Sequence, residues 1–277
     1  MDWIYTLAGL GVGLTVGLTG VGGGALMTPL LVLGFGIPPA VAVGTDLLYA
    51  GLTKSGGVWV HSRHGTVQWN IAGCLAIGSV PASLLTVGLL HWFPVDKSIF
   101  ESLITSTLGY MLILTALVLL FKDSIKSWSP WERRRAVVPA KIKQELRAIV
   151  PAGSRQPVQV GATITIGVLL GVLVTLTSVG AGALGAAILF FLYPRLSAVQ
   201  IVGTDLAHAV PLTLVGGIGH WFLLGTVDGM LLISLLTGSL PGIWLGSQLG
   251  ILIPEKVLRL VLACMLILIG VKLLSFS

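Results

Sequence analysis

Apolar stretches succeed one another along almost the whole chain, near residues 3–18, 22–36, 39–57, 69–91, 98–121, 160–176, 180–193, 197–217, 229–250 and 257–274. Only 9% of the 277 residues are charged and 55% are hydrophobic, and the mean hydropathy is +1.00. A soluble domain carries roughly 25% charged residues, so this chain has too few to clothe a water-facing surface, and a bilayer must solvate most of it. Within lipid the backbone has to satisfy its own hydrogen bonds, which leaves α-helices or a closed barrel. The stretches are long and continuous, without the alternation of barrel strands. The expected fold is therefore an all-α polytopic membrane protein with about eight to ten membrane segments.

The formal charge of +6 is not spread evenly: nine of the sixteen Lys and Arg residues lie between Lys122 and Arg155, against Asp123, Glu132 and Glu145. A basic loop between apolar spans follows the positive-inside rule, and it is expected to be cytoplasmic and to touch anionic headgroups. No aromatic-basic platform accompanies the charge, so no nucleic-acid partner is expected. The loop divides the chain into a first membrane repeat (1–122), a basic loop (123–157) and a second membrane repeat (158–277). Cys74 and Cys264 fall inside apolar spans and read as small hydrophobes, neither a disulfide framework nor a metal site; no cofactor is expected. Met1-Asp2-Trp3 lacks the basic start of a cleaved signal peptide, so the first apolar segment is expected to stay.

The two halves repeat each other. At a shift of 158 residues Gly13 matches Gly171, Thr19 matches Thr177, Val21-Gly22 matches Val179-Gly180, and Gly24-Ala25-Leu26 matches Gly182-Ala183-Leu184. Gly44-Thr45-Asp46-Leu47 recurs as Gly203-Thr204-Asp205-Leu206, and His61 as His220. Gly65-Thr66-Val67 recurs as Gly225-Thr226-Val227, and Gly78-Ser79-x-Pro81 as Gly238-Ser239-x-Pro241. Polar and glycine coincidences in one order mark a duplication.

The opening of each half is unusual. Residues 3–18 give only about 24 Å of helix against a hydrocarbon core of roughly 30 Å. The following Thr19-Gly20-Val21-Gly22-Gly23-Gly24 is too glycine-rich to favour unbroken helix. The chain either turns there or runs on. A turn gathers Lys54, Arg63, the basic loop, Arg195, Lys256 and Arg259 on one side, treating all of them as loop or boundary charges. That bias favours the turn, with five elements per half and the two repeats inverted in the membrane.

Short, glycine-broken helices at matching positions of inverted halves point to a transporter binding site. The first N–H groups of a restarting helix lack partners and carry partial positive charge, so an anion fits there. Candidate substrate-binding residues are Thr19, Gly20, Gly22, Gly23, Gly24 and Thr45 in the first half, and Thr177, Ser178, Gly180, Gly182 and Thr204 in the second. The alternative for the glycines is close helix packing through small residues.

Asp46 and Asp205 sit near the start of apolar spans, where an ionisable group is costly and usually functional. They read either as pathway residues or as helix caps. A carboxylate beside an anion site repels the substrate unless protonated, which makes both aspartates, with His208 one turn beyond Asp205, candidates for proton coupling. His61 and His220 are expected near the water boundary. Gly180-Ala181-Gly182-Ala183-Leu184-Gly185 satisfies the dinucleotide-binding glycine pattern, but it has no strand–turn–helix context.

Gly17-Leu18-Thr19-Gly20-Val21-Gly22-Gly23-Gly24 with Pro29, Gly44-Thr45-Asp46 and Gly65…Gly78-Ser79-x-Pro81 together resemble the TauE/SafE family of sulfite exporter-like membrane proteins. The resemblance covers nearly all of the chain except the basic middle loop. It implies a secondary transporter of the prokaryotic cytoplasmic membrane that moves sulfite, sulfonates or related oxyanions, often outward. The second half departs from the pattern, with Ser178, Ala181 and Ala187 where the first has Gly20, Gly23 and Pro29, so the halves are expected to be functionally unequal. The leading expectation is a proton-coupled exporter of a small sulfur-containing anion, not an enzyme. A passive anion channel and an intramembrane enzyme using paired aspartates are the alternatives. Its partners would be the anion, protons and the bilayer, and a homo-oligomer is compatible with the sequence.

Overall fold

The computed structural model describes residues 3–19, 24–93, 96–128, 158–249 and 255–275. Among them the chain is helical, with no strand. Helices α1 (Trp3–Thr19), α2 (Gly24–Pro29, continuing through the π-helical turn Leu30–Gly34), α3 (Pro39–Arg63), α4 (Trp69–Trp92) and α5 (Lys97–Trp128) form the first half. Helices α6 (Val160–Thr177), α7 (Ala183–Leu192), α8 (Ala198–Gly219, continuing as the π-helical His220–Leu224), α9 (Gly229–Leu249) and α10 (Glu255–Leu274) form the second. Among the described residues five stretches are long and apolar enough to cross a membrane: Trp69–Trp92, Ser98–Phe121, Val160–Thr177, Ala198–Leu224 and Gly229–Leu249. The chain is a multi-pass helical membrane protein. The basic run 129–157 lies outside the described residues.

Local chemistry sets the helix ends. Pro39 occupies the first turn of α3, where its missing N–H costs nothing and its fixed φ suits a helix. Ser197 opens α8 with a capping box: its hydroxyl accepts from Gln200 N at 3.3 Å, and Gln200 Oε1 accepts from Ser197 N at 3.0 Å. Beyond α3 and α8 the chain reverses at Gly65 (φ 63°) and Gly225 (φ 64°), left-handed positions that glycine takes without strain. In both turns the next threonine amide bonds back to a histidine carbonyl, Thr66 N to His61 O at 3.1 Å and Thr226 N to His220 O at 3.0 Å.

The halves interlock. The most extensive contacts join α1 to α9, α4 to α6, α3 to α8 and α5 to α10; each pairs an element of one half with an element of the other, in a pattern that exchanging the halves preserves. Glycines bring these helices together backbone to backbone, as small residues do in membranes. Along α1, Gly9, Gly13 and Gly17 face Leu235, Ser239 and Ile243 in that order, so α1 and α9 run parallel. Gly78 faces Ile164 and Val168, and Gly171 faces Ser79 and Ala82, so α4 and α6 also run parallel. In contrast Gly44 faces His220 and Thr226, Gly51 faces Thr213 and Leu214, and Gly57 faces Leu206. The matched helices α3 and α8 therefore cross antiparallel at the centre of the molecule.

Two expected boundaries move. The third segment of the first half does not stop near residue 57 but continues as helix to Arg63, which sets Lys54 well inside the helix instead of near its end. Its partner in the second half runs on to Leu224 through a π-helical turn, a distortion that leaves no mark in the apolar pattern. Both short helices are enclosed: Met27 and Leu31 of α2 pack with Tyr49, Leu108, Leu112 and Leu266, and Leu189 of α7 packs with Ile71, Leu75 and Ile201.

Gly13 and Gly11 separate packing from helix propensity. A Cβ at Gly13 would run into the Ser239 backbone, whereas one at Gly11 meets nothing within 4 Å. Gly13→Val should cost about 1–3 kcal/mol, the usual toll of overpacking, seen as a lower melting temperature in detergent. Gly11→Val should leave it close to wild type.

Candidate functional site

The two Gly-Thr-Asp steps divide their work by position. Gly44 and Gly203 are contact points of the α3–α8 crossing: a side chain at Gly44 would strike the Thr226 carbonyl, and one at Gly203 the His61 ring. Thr45 and Thr204 hold the opposite half's turn. Thr45 Oγ1 accepts from Asp228 N at 3.1 Å, and Thr204 Oγ1 accepts from Gln68 N at 3.0 Å while donating to Gln200 O at 2.6 Å. Their hydroxyls are thus engaged away from the central charges. Only the third residue of each step carries a charge inward.

Asp46 is the eighth residue of α3 and Asp205 the eighth of α8, too deep in their helices to be caps. Both are buried, and each turns to the short helix of its own half. Asp46 Oδ2 accepts from the Thr28 hydroxyl of α2, with the Ser178 hydroxyl also close to this carboxylate. Asp205 Oδ1 lies against Gly185 in the first turn of α7, where any side chain would displace it, and the positive end of that helix favours an anionic group. Gly185, the last glycine of the misleading dinucleotide pattern, is there to admit a carboxylate.

Near both aspartates lies Lys54, which the sequence placed at the membrane boundary. It is buried in α3, its Nζ donates to the Ala181 carbonyl in the break between α6 and α7, and it lies within electrostatic reach of Asp46, Asp205 and His208. The break itself is irregular backbone inside the protein, which is where membranes tolerate it. Ser178 closes α6 in the left-handed conformation (φ 56°), and Gly180 follows at φ 114°. Gly182 precedes α7, with its N–H and that of Gly185 both donated to Gly180 O, at 2.9 and 3.0 Å. Thr177 spends its hydroxyl locally, donating to Leu173 O at 2.7 Å and accepting from Val179 N at 3.2 Å.

Matched side chains flank the charges. His208 Nε2 pairs with Ser79 Oγ at 2.9 Å, so the ring is directed to α4 and not to Asp205. Tyr49, at the corresponding position of α3, approaches Ser239 of α9. Among the described residues Asp46 Oδ1, Tyr49 Oη, Ser178 Oγ, Asp205 Oδ1 and His208 Nδ1 are buried without a hydrogen-bond partner. Native interiors rarely leave such groups unpaired, and here both donors and acceptors are ready for a polar guest.

Of the remaining expected site residues, the Thr19 side chain and Gly20, Gly22 and Gly23 lie outside the described residues, and Gly24 opens α2. The two histidines differ from each other, and only His220 departs from expectation. His61 is partly buried, with Nδ1 paired to Thr66 Oγ1 at 2.8 Å. His220 is fully buried, not at the water boundary: Nδ1 pairs with Thr226 Oγ1 at 2.9 Å and Nε2 with the Thr175 carbonyl at 3.1 Å. The π-helical extension of α8 keeps this ring inside the bundle, where its position in sequence implied an exit.

Buried charges gathered beside a helix break, in a multi-pass bundle of interlocked halves, are the marks of a membrane transporter. The family model described as Sulfite exporter TauE/SafE matches residues 5–273, and the chain belongs to that family. It is 41% identical to the probable membrane transporter protein YjnA of Bacillus subtilis (strain 168) over 271 residues, 97% of this chain and 98% of that one. It is 29% identical to the probable membrane transporter protein YdhB of the same organism, over 90% of each chain. No solved structure matches it.

If Thr45 serves to hold the α8–α9 turn, Thr45→Val should lower stability by about 1–3 kcal/mol through the unpaired Asp228 amide. Thermal unfolding in detergent would register the loss, while the KM for substrate should stay at the wild-type value.

Proposed function

We propose that this transporter moves a small sulfur-containing oxyanion, such as sulfite or a sulfonate, across the cytoplasmic membrane in exchange for or together with protons, outward in the cell. The observation that carries this reading is the buried set Asp46, Lys54 and Asp205 at the break between α6 and α7. A lone ammonium in a membrane interior attracts an anion, and two carboxylates beside it oppose that anion unless one takes up a proton. Substrate and proton occupancy are then linked at one place. Asp46 and Asp205 are the proposed proton carriers, with His208 beside them. The Ser178 hydroxyl contributes a donor to the anion, and Thr19 to Gly24 are the proposed counterpart in the first half.

The antiparallel crossing of α3 and α8 supports an inverted arrangement of the repeats, and with it alternating access by rocking one repeat against the other. The 123–157 segment is then the cytoplasmic loop. A paired-aspartate reaction requires two carboxyls sharing a proton; Asp46 faces α2 and Asp205 faces α7, which favours transport without a chemical step. A passive channel would need neither carboxylate.

Flux of sulfite, thiosulfate, sulfoacetate and other sulfonates into proteoliposomes, with and without an imposed pH gradient, tests the reading. Wild-type flux should rise with the gradient. Asp46→Asn and Asp205→Asn should each reduce gradient-driven flux about tenfold or more, as loss of a functional intramembrane charge does. Gradient-independent flux, unchanged in both variants, would instead establish the channel. Separately, His64→Cys and Leu223→Cys should be labelled by impermeant thiol reagents from opposite sides of the membrane. Labelling from one side would refute the inversion.

A further inference from the structure

Lys54 has no counterpart in the second half: the matched position is Thr213, whose hydroxyl donates within its own helix to Ala209 O at 2.8 Å. The duplication therefore supplies two carboxylates but a single ammonium. That ammonium belongs to the first half, yet its bond goes to the second, at the Ala181 carbonyl. Within electrostatic reach of Lys54 are Asp46 on its own helix and Asp205 and His208 on α8, and Tyr49 and the Ser178 hydroxyl of the break lie in turn beside Asp46. Of these, the Tyr49 and Ser178 hydroxyls, His208 Nδ1, Asp46 Oδ1 and Asp205 Oδ1 are buried without partners among the described residues.

We propose that Lys54 is the direct counter-ion of the transported anion, and that its bond to the Ala181 carbonyl is the resting contact that substrate displaces. This rests on the anion-transport reading above. A neutral carbonyl is a weaker acceptor for an ammonium than an oxyanion, since bonds between two charged partners are roughly twice as strong as neutral ones. An entering oxyanion thus takes Lys54 Nζ from Ala181, and a multi-oxygen anion has further acceptors for the hydroxyls of Tyr49 and Ser178. The charge sum then limits occupancy. Two carboxylates and one ammonium already carry an excess negative charge, so anion entry is favoured when a proton reaches Asp46 or Asp205. Release of Ala181 also frees a side-chain tie from α3 to the break, so occupancy of the site and freedom of α7 change together. The ligand class is a small anion with two or more oxygens able to face one lysine and neighbouring hydroxyls.

Binding of sulfite and thiosulfate to the purified full-length protein, measured by calorimetry in detergent at two pH values, tests the assignment. Lys54→Gln should weaken binding about tenfold or more, the loss expected when one partner of a buried charge contact is removed, and Lys54→Arg should retain most of it. Where Lys54→Gln fails to fold because a carboxylate is left unbalanced, Asp205→Asn and the double variant Asp205→Asn/Lys54→Gln replace it. Asp205→Asn should bind the anion as tightly as wild type or tighter, with less dependence on pH, and the double variant should lose that binding. Equal affinity in Asp205→Asn and the double variant, or wild-type affinity in Lys54→Gln, would overturn the role of Lys54 while leaving anion transport standing. Absence of sulfite and thiosulfate binding and flux in the wild type would overturn the underlying reading itself.

Discussion

A single buried ammonium organises the centre of this transporter. An unpaired charge in a membrane interior costs several kcal/mol, and Lys54 is tolerated because the Ala181 carbonyl accepts a hydrogen bond from it and two carboxylates lie within reach. Each of those supports depends on a different part of the fold. The carbonyl is available because the chain breaks between α6 and α7 instead of continuing as helix. Asp46 and Asp205 arrive together because α3 and α8 cross closely enough for Gly44 and Gly203 to meet the opposing turns. Removing the crossing, or the break, would strand the charge.

Tight crossings explain why so much of the chain is glycine. Along α1 and α9, and along α4 and α6, the contact is backbone against backbone, so position after position excludes even a methyl group. Lipid offers little hydrophobic incentive for helices to associate, and close dispersion contact between small residues replaces it. The consequence is two interlocked halves in which the first helix of one lies along the fourth of the other.

Much of this was legible in the sequence. Continuous apolar stretches gave the spans, the order of Gly-Thr-Asp and Gly-Ser-x-Pro gave the duplication, and the glycine run predicted the break that appears after Ser178. What was missed has physical reasons. Lys54 is followed by Ser55-Gly56-Gly57, which reads as the end of a span, yet α3 continues to Arg63. The guanidinium of Arg63 stacks over Trp59 at 4.2 Å, an aromatic-basic pair of the kind found at the membrane interface. That pair, four residues apart, is the signal that would have placed Lys54 a full turn deeper than the boundary. Thr45 and Thr204 were candidate substrate ligands in the sequence, and the structure adds a turn-holding contact to each hydroxyl. Their partners, Asp228 N and Gln68 N, belong to the other half and cannot be read from a linear pattern. His220 likewise looked interfacial until the π-helical turn folded it against Thr175 O.

Coupling between anion and proton at one buried cluster is the central claim, and it is tested most directly by running the coupling backwards. Proteoliposomes carrying a trapped pH dye and no initial pH gradient would be given an inward sulfite gradient with the membrane potential clamped. Matched liposomes without protein would correct for uncatalysed permeation of the acid forms. The account predicts a lumenal pH change that depends on the protein, grows with the sulfite gradient and disappears in the Asp46→Asn/Asp205→Asn double variant. Protein-dependent sulfite flux with no accompanying pH change would contradict it.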